Sequence, residues 1–133
     1  MNIAIVTADF NSKITHKMEE IAKQHAIKLG ATIKQTIHVP GTFEIPFAVK
    51  KLLKNKEIDG IITLGAVIKG NTDHDQIVAN NSAEQIIRLS LEYEKPVSLG
   101  IVGPNVTKQQ ATERLENYAK RATEAVIKML NIN

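Results

Sequence analysis

A chain of 133 residues with 43% hydrophobic and 23% charged residues has the size and balance of one globular domain with a modest core. Its net charge of +3 comes from 17 basic and 14 acidic residues scattered along the sequence, and aromatic residues make up only 4%. These values argue against the basic surface with interleaved aromatic residues that is typical of nucleic-acid-binding proteins, and the absence of cysteine excludes disulfides and thiolate chemistry.

The start of the sequence and its apolar runs indicate where the protein works. Met1 and Asn2 lead directly into the apolar run Ile3–Val6, with no secretory signal before it. No apolar run approaches the roughly 20 residues of a membrane-spanning helix. We therefore expect a cytoplasmic protein without membrane contacts.

The first two predicted elements are a strand and a helix. Asn2–Ala8 is a continuous apolar run, typical of a strand buried on both faces of a parallel sheet. After the break at Asp9 and Phe10, Asn11 or Ser12 is expected to cap a helix that Gly30 terminates. The apolar residues of this helix recur at helical spacing, and they are Ile14, Met18, Ile21, Ala22, Ala26 and Leu29.

A second strand and helix follow. Residues 32–39 alternate apolar and polar side chains, which predicts a strand at the edge of the sheet with its apolar residues on one face. The apolar residues of this strand are Ile33, Ile37 and Val39. The loop Pro40–Phe43 comes next, and Pro46 suits the first turn of a helix that continues to about Lys56.

The second half of the chain repeats the pattern. Gly60–Leu64 is a short buried strand, residues 76–93 have helical spacing, and Pro96–Val102 is a fourth strand. Thr107 and Gln110 have the spacing of a capping box at the start of the last helix. The apolar stripe of that helix contains Ala111, Leu115, Ala119, Ala122, Val126 and Met129.

Strict alternation of strands and helices, without a linker or repeat, predicts a single domain over residues 1–133. Its fold class is α/β, with three layers (α/β/α) around a four-stranded parallel sheet. Ligands of such sheets bind beyond the carboxyl ends of the strands. Four polar loops are expected to meet there: Asp9–Asn11, Pro40–Glu44, Lys69–His74 and Gly103–Asn105.

The segment from Leu64 to Val78 carries the clearest functional signal. A buried strand leads into the turn Gly70–Thr72 and then a helix, whose first N–H groups and dipole favour an anion. His74 stands in the first turn, where it can transfer protons. An idle surface histidine is the alternative, but the position beside three other polar loops favours an active site.

Other motifs are absent. The sequence contains neither G-x-G-x-x-G nor G-x-x-x-x-G-K-[ST], which argues against ordinary dinucleotide and nucleoside triphosphate binding. His16, His25, His38 and His74 show no metal-ligand spacing, so we expect no metal, and we expect His16 and His25 to be solvated helix residues. Phe10 follows the first strand and Phe43 the second, where they are either core residues or a platform for a flat ring.

Four motifs together resemble the lumazine synthase family, in order and in spacing: Asp9–Asn11, Val39–Pro46, Leu64–Val78 and Gln110–Arg114. His74 followed by Asp75, and the low aromatic content, are similar to archaeal members. The resemblance implies a flavodoxin-like fold and a transferase of riboflavin biosynthesis. Such an enzyme condenses 5-amino-6-(ribitylamino)uracil with 3,4-dihydroxy-2-butanone 4-phosphate to 6,7-dimethyl-8-ribityllumazine, releases phosphate and water, and needs no cofactor.

The resemblance also implies roles for individual residues. His74 would be the acid/base, and Asn71 and Thr72 would hold the substrate phosphate together with Arg114. A further basic residue near the phosphate would be Lys120 or Arg121.

The ring-binding residues are implied in the same way. Phe10 would stack on the pyrimidine, and Leu99, where members commonly have Phe, would add an apolar wall. Asp75 departs from the family, which commonly has an aromatic residue there. The remaining contacts to the pyrimidine and ribityl groups would come from Thr42, Phe43, Glu44, Ala66, Val67 and Ile68.

Members of the family form pentamers, sometimes twelve of them in a hollow shell, and neighbouring subunits share each site. The resemblance thus implies a homo-oligomer in which Leu99 and Arg114 complete a site that contains the neighbour's Phe10 and His74. Two alternatives stay open: an archaeal-type riboflavin synthase on the same fold, and a non-catalytic flavin or lumazine binder. The Gly70-x-Thr72-x-His74 segment has the lumazine synthase form and argues against the first.

Overall fold

The computed structural model describes residues 1–132, which contain four strands and four α-helices in strict alternation. The elements are β1 (Asn2–Ala8), α1 (Ser12–Lys28), β2 (Thr32–Val39), a 3₁₀ turn (Thr42–Glu44), α2 (Ile45–Leu53), β3 (Gly60–Ala66), α3 (His74–Tyr93), β4 (Val97–Val102) and α4 (Lys108–Leu130). None of these helices is both long enough and apolar enough to cross a membrane.

The four strands form one parallel sheet in the order β2-β1-β3-β4. Successive side chains of the central strand β1 enter opposite layers. Ile3 and Ile5 pack toward α1 and α4, whereas Ala4 and Val6 pack toward α2 and α3. The predicted α/β fold with a four-stranded parallel sheet between two helical layers is confirmed.

Strand β2 lies at the edge of the sheet, as predicted, but its apolar side chains do not share one face. The pairing with β1 shifts at Lys34, which is the extra residue of a β-bulge. Ile33 therefore packs toward the α1–α4 layer, while Ile37 and Val39 pack toward α2 and α3. The prediction is wrong for Ile33 because a bulge interrupts the alternation that a period of two assumes.

The predicted helix ends agree with the structure to within a few residues. Gly30 follows α1 with a φ of 90°, a conformation that glycine adopts without strain. Helix α2 ends at Leu53 and stops before Lys56, because the Asn55 side chain accepts a hydrogen bond from the backbone N–H of Glu57 and favours a turn.

Helix α4 begins with the predicted capping box. Thr107 Oγ1 accepts from the Gln110 N–H at 3.1 Å, and the Gln110 side chain accepts from the Thr107 N–H at 3.0 Å. Most of the predicted apolar stripe is buried, but Met129 is 51% exposed and Ile127 is buried in its place. The stripe drifts along the helix because a turn takes 3.6 residues.

The different burial of these two residues gives a matched test. Ile127→Ala is expected to lower the free energy of unfolding by about 2–5 kcal/mol, because it leaves a cavity between α4 and the sheet. Met129→Ala should change it by less than about 0.5 kcal/mol. Urea denaturation measures both, and equal losses would contradict the described packing.

Candidate active site

A groove of about 770 Å³ opens at the carboxyl edge of the sheet. The loops after β1, β2 and β3 form its walls, and Lys108 at the start of α4 closes one side. The predicted site residues that line it are Phe10, Thr42, Phe43, Glu44, Ala66, Val67, Ile68, Thr72 and His74. Asn71, Leu99 and Arg114 do not line it.

Two phenylalanines give the groove an apolar surface. Phe10 is 71% exposed and Phe43 is 59% exposed, so neither is a core residue. Water contact at two aromatic rings is unfavourable, and a flat ligand that covered them would remove that cost. Their exposure contradicts the core placement, and the platform for a flat ring stays a prediction.

Hydrogen bonds to both neighbouring strands hold the loop that carries Phe10. The Phe10 N–H donates to the carbonyl of Pro40 at 2.9 Å. Asn11 has a left-handed backbone (φ 64°), and its Nδ2 donates to the carbonyl of Ala66 at 2.8 Å. Asn11 thus occupies the N-cap position of α1 without capping it, because its amide ties the loop to the end of β3 instead.

The 3₁₀ turn after β2 sits directly against β3. A Cβ on Gly65 would lie 2.5 Å from Thr42 Oγ1, so only glycine lets the turn approach this closely. On the other side, Ser82 Oγ of α3 donates to the Thr42 carbonyl at 3.3 Å. Thr42 is consequently buried, while the neighbouring Phe43 and Glu44 stay exposed at the groove.

His74 is the first residue of α3 and is exposed at the groove. Its backbone N–H donates to Thr72 Oγ1 at 3.3 Å, and no side chain caps the helix at Asp73. The N-terminal N–H groups of α3 and the helix dipole therefore favour an anion beside the imidazole. Lys69, which begins one of the predicted site loops, brings positive charge to the same groove. Lys108 does so too, although the sequence did not assign it to the site.

Asp75 is a second site residue that the sequence did not predict. It is only 5% exposed, and its Oδ2 accepts from the backbone N–H of Asn105 at 2.9 Å. Its Oδ1 lies buried without a hydrogen-bond partner among residues 1–132, and Asp75 lines the groove. This carboxylate joins the fourth polar loop to α3. The only indication of this in the sequence was that Asp75 stands where the resembled family commonly has an aromatic residue.

A hydrogen-bonded group of one aspartate and two histidines lies beside Phe10. His16 Nε2 and His38 Nδ1 both donate to Asp9 Oδ1, at 2.8 and 2.7 Å. These bonds hold the pKa of the Asp9 carboxyl below its ordinary value. Burial opposes protonation of His38, but its bond to Asp9 and the nearby charge of Glu19 raise the pKa of its imidazole. The group fixes the base of the Phe10 loop.

Leu99 and Arg114 lie on another part of the surface. Leu99, on the edge strand β4, is 47% exposed and lines a separate depression of about 370 Å³ together with Tyr118 and Arg121. Arg114 precedes Arg121 by about two turns of α4, so both lie on the same helix face. Lys120 instead pairs with Glu116 at 3.4 Å.

The bond between Asp75 and Asn105 allows a direct test. Asp75→Ala is expected to lower the free energy of unfolding by about 1–3 kcal/mol, because the Asn105 N–H loses its acceptor. Asp73→Ala, which removes an exposed carboxylate at the N-cap of α3 that makes no capping hydrogen bond, should change it by less than about 0.5 kcal/mol. Thermal or urea denaturation of both variants provides the comparison, and an unaffected Asp75→Ala would show that this bond is not needed.

Comparison with known proteins gives one consistent result. A family model described as 6,7-dimethyl-8-ribityllumazine synthase matches residues 1–133. The protein of that name from Methanocaldococcus jannaschii is 52% identical over 98% of this chain and 92% of its own length. Those from Methanothermobacter thermautotrophicus and Methanosarcina mazei are 55% and 49% identical, over 97% and 98% of this chain and 92% and 96% of their own lengths.

Proposed function

This chain belongs to the 6,7-dimethyl-8-ribityllumazine synthase family, a transferase family of riboflavin biosynthesis, and we propose that its reaction takes place in the groove at the carboxyl edge of the sheet. The observation that carries the proposal is the meeting of Phe10, Phe43 and His74 on one groove. It supplies an apolar platform and a proton-transferring group side by side. The proposed substrates are 5-amino-6-(ribitylamino)uracil and 3,4-dihydroxy-2-butanone 4-phosphate.

We assign proton transfer to His74. The substrate amine attacks the ketone carbonyl and must lose a proton, and the hydroxyl that leaves as water must gain one. An imidazole exchanges protons near neutral pH and serves both steps. Its exposure at the start of α3 lets it reach a bound substrate while the helix holds its backbone in place.

The phosphate is expected to bind at the start of α3. Thr72, the positive end of the dipole of that helix and the ammonium groups of Lys69 and Lys108 support this position. Asn71 is adjacent in sequence and is exposed, although it does not line the groove of a single chain. Phosphate leaves during the reaction, so moderate binding by several exposed groups suits turnover.

The pyrimidine is expected to stack on Phe10 and to bond polar groups beside it. The Ala66 carbonyl and the Val67 N–H are already bonded, to Asn11 and Val102. We therefore expect main-chain bonds to the ring from Ile68 in particular. Phe43 and Glu44, exposed on the opposite loop, are placed to contact the ring and the ribityl chain.

We further propose that the enzyme is a homo-oligomer, a pentamer or a shell of pentamers, whose sites are shared by neighbours. Leu99 and Arg114 lie away from the groove, so each would complete the site of an adjacent subunit together with Arg121. Large apolar side chains that α2 and α3 leave exposed also support an assembly. They are Phe47, Ile77, Ile87 and Leu91, each more than half exposed. A cytoplasmic location stays part of the proposal, and cell fractionation tests it.

Turnover of the two named substrates, followed by the absorbance of the lumazine product, tests the activity. His74→Ala is expected to reduce kcat on the order of 10²–10⁴-fold while the affinity for the ribityl substrate stays near normal. His25→Ala is the matched control, because His25 lies on α1 and bonds to Glu124. Unchanged turnover in the His74 variant would remove this residue from the mechanism.

Mixed oligomers test whether neighbours share the site. Arg114→Ala alone is expected to weaken binding of the phosphate substrate far more than binding of the pyrimidine substrate, since a guanidinium fork binds phosphate. Subunits carrying His74→Ala and subunits carrying Arg114→Ala are then co-expressed in equal amounts. If His74 and Arg114 come from different subunits, about a quarter of the sites in random assemblies regain both residues and activity returns. Mixtures no more active than their parents would place both residues on the same subunit.

A further inference from the structure

Three metal-ligating side chains meet on the surface beside the Phe10 loop. Asp9 follows β1, His16 lies in the second turn of α1, and His38 is near the end of β2. His16 Nε2 and His38 Nδ1 lie 2.8 and 2.7 Å from the same Asp9 oxygen, and one ligand atom from each residue fits within 4.8 Å of the others. The two imidazole rings are 5.0 Å apart between centroids. Ligand atoms from three different segments of the chain thus lie close enough together to bind a single ion.

A second layer of hydrogen bonds orients one of these histidines. The other ring nitrogen of His38 donates to Glu19 Oε1 at 2.7 Å. Glu19 is held in turn by the Thr7 hydroxyl at 2.7 Å and by Lys23 Nζ at 3.2 Å. Metal-binding histidines usually donate their second N–H to a carboxylate in this way, which fixes the ring and increases its basicity.

One proton of this group can be exchanged for an ion. Asp9 Oδ1 accepts an N–H from each histidine, and the other ring nitrogen of His38 donates to Glu19. An ion bound to His38 Nδ1 takes the place of that proton, which passes to solvent. The bond from Nε2 to Glu19 remains.

We propose that Asp9, His16 and His38 form a binding site for a divalent transition-metal ion of the Zn²⁺ class. Two imidazole nitrogens and one carboxylate oxygen suit such ions, whereas Mg²⁺ and Ca²⁺ take oxygen ligands. Each side chain is between 38% and 49% exposed, which leaves room for water as a fourth ligand. The ion joins β1, α1 and β2 at the base of the Phe10 loop. Spacing along the sequence did not predict it because the ligands come from three separate elements.

Titration of the full chain with Zn²⁺ by calorimetry, and with Co²⁺ by visible absorption, tests the site. One ion per chain is expected to bind, with Co²⁺ bands of low coordination number, and His16→Ala or His38→Ala should abolish this binding. His25→Ala is the matched control on the same helix: it removes a histidine that also bonds a carboxylate, at 2.7 Å, and should bind normally. Circular dichroism establishes that each variant is folded.

The Glu19→Gln variant separates a built site from adventitious binding. It leaves the three ligands intact, and it is expected to weaken Zn²⁺ binding about 10–100-fold because His38 loses its carboxylate partner. Absence of saturable binding, or binding unchanged in both His16→Ala and His38→Ala, would overturn the proposal and leave a hydrogen-bonded group only. A failure here leaves the proposed enzymatic function untouched, because none of these side chains was assigned a role in it.

Discussion

The parallel pairing of β1 with both β2 and β3 is the constraint on which the rest of this structure depends. Because the three strands run in the same direction, the loops that follow them must leave from one edge of the sheet. Phe10, Phe43 and His74 meet there although more than sixty positions separate the first from the last. The buried isoleucines of the strands contribute to function indirectly, by keeping the strands paired.

Local patterns allowed the sequence to predict the elements and the fold. Apolar runs, helical spacing and the capping box at Thr107 each depend on neighbours within a few residues, and the structure contains all of them. Such local patterns do not predict contacts between segments that are distant in the sequence. The burial of Asp75 depends on Asn105, and the orientation of His38 depends on Asp9 and Glu19. The sequence also could not distinguish Met129 from Ile127, since both lie near the same helical stripe.

The family resemblance also predicted the reaction and the site residues. In the structure, these predicted site residues lie on more than one surface. Most line one groove, while Leu99 lines a separate depression at the edge strand β4, and Arg114 lies outside the groove on α4. Under the proposed assembly, the same subunit contacts bury apolar surface and complete the phosphate site. The same contacts would cover Phe47 and Leu91, whose exposure a single chain does not explain.

The bulge at Lys34 has a consequence for how the chain tolerates change in length. Edge strands exposed to solvent usually accept insertions and deletions more readily than central ones. In β2, however, the extra residue reverses the alternation of side chains. Ile33 in the first half therefore packs in one helical layer, and Ile37 in the second half packs in the other. Deletion of one residue would force one half to exchange its buried and solvent-facing side chains. The number of residues in this exposed strand is therefore as constrained as the composition of the core.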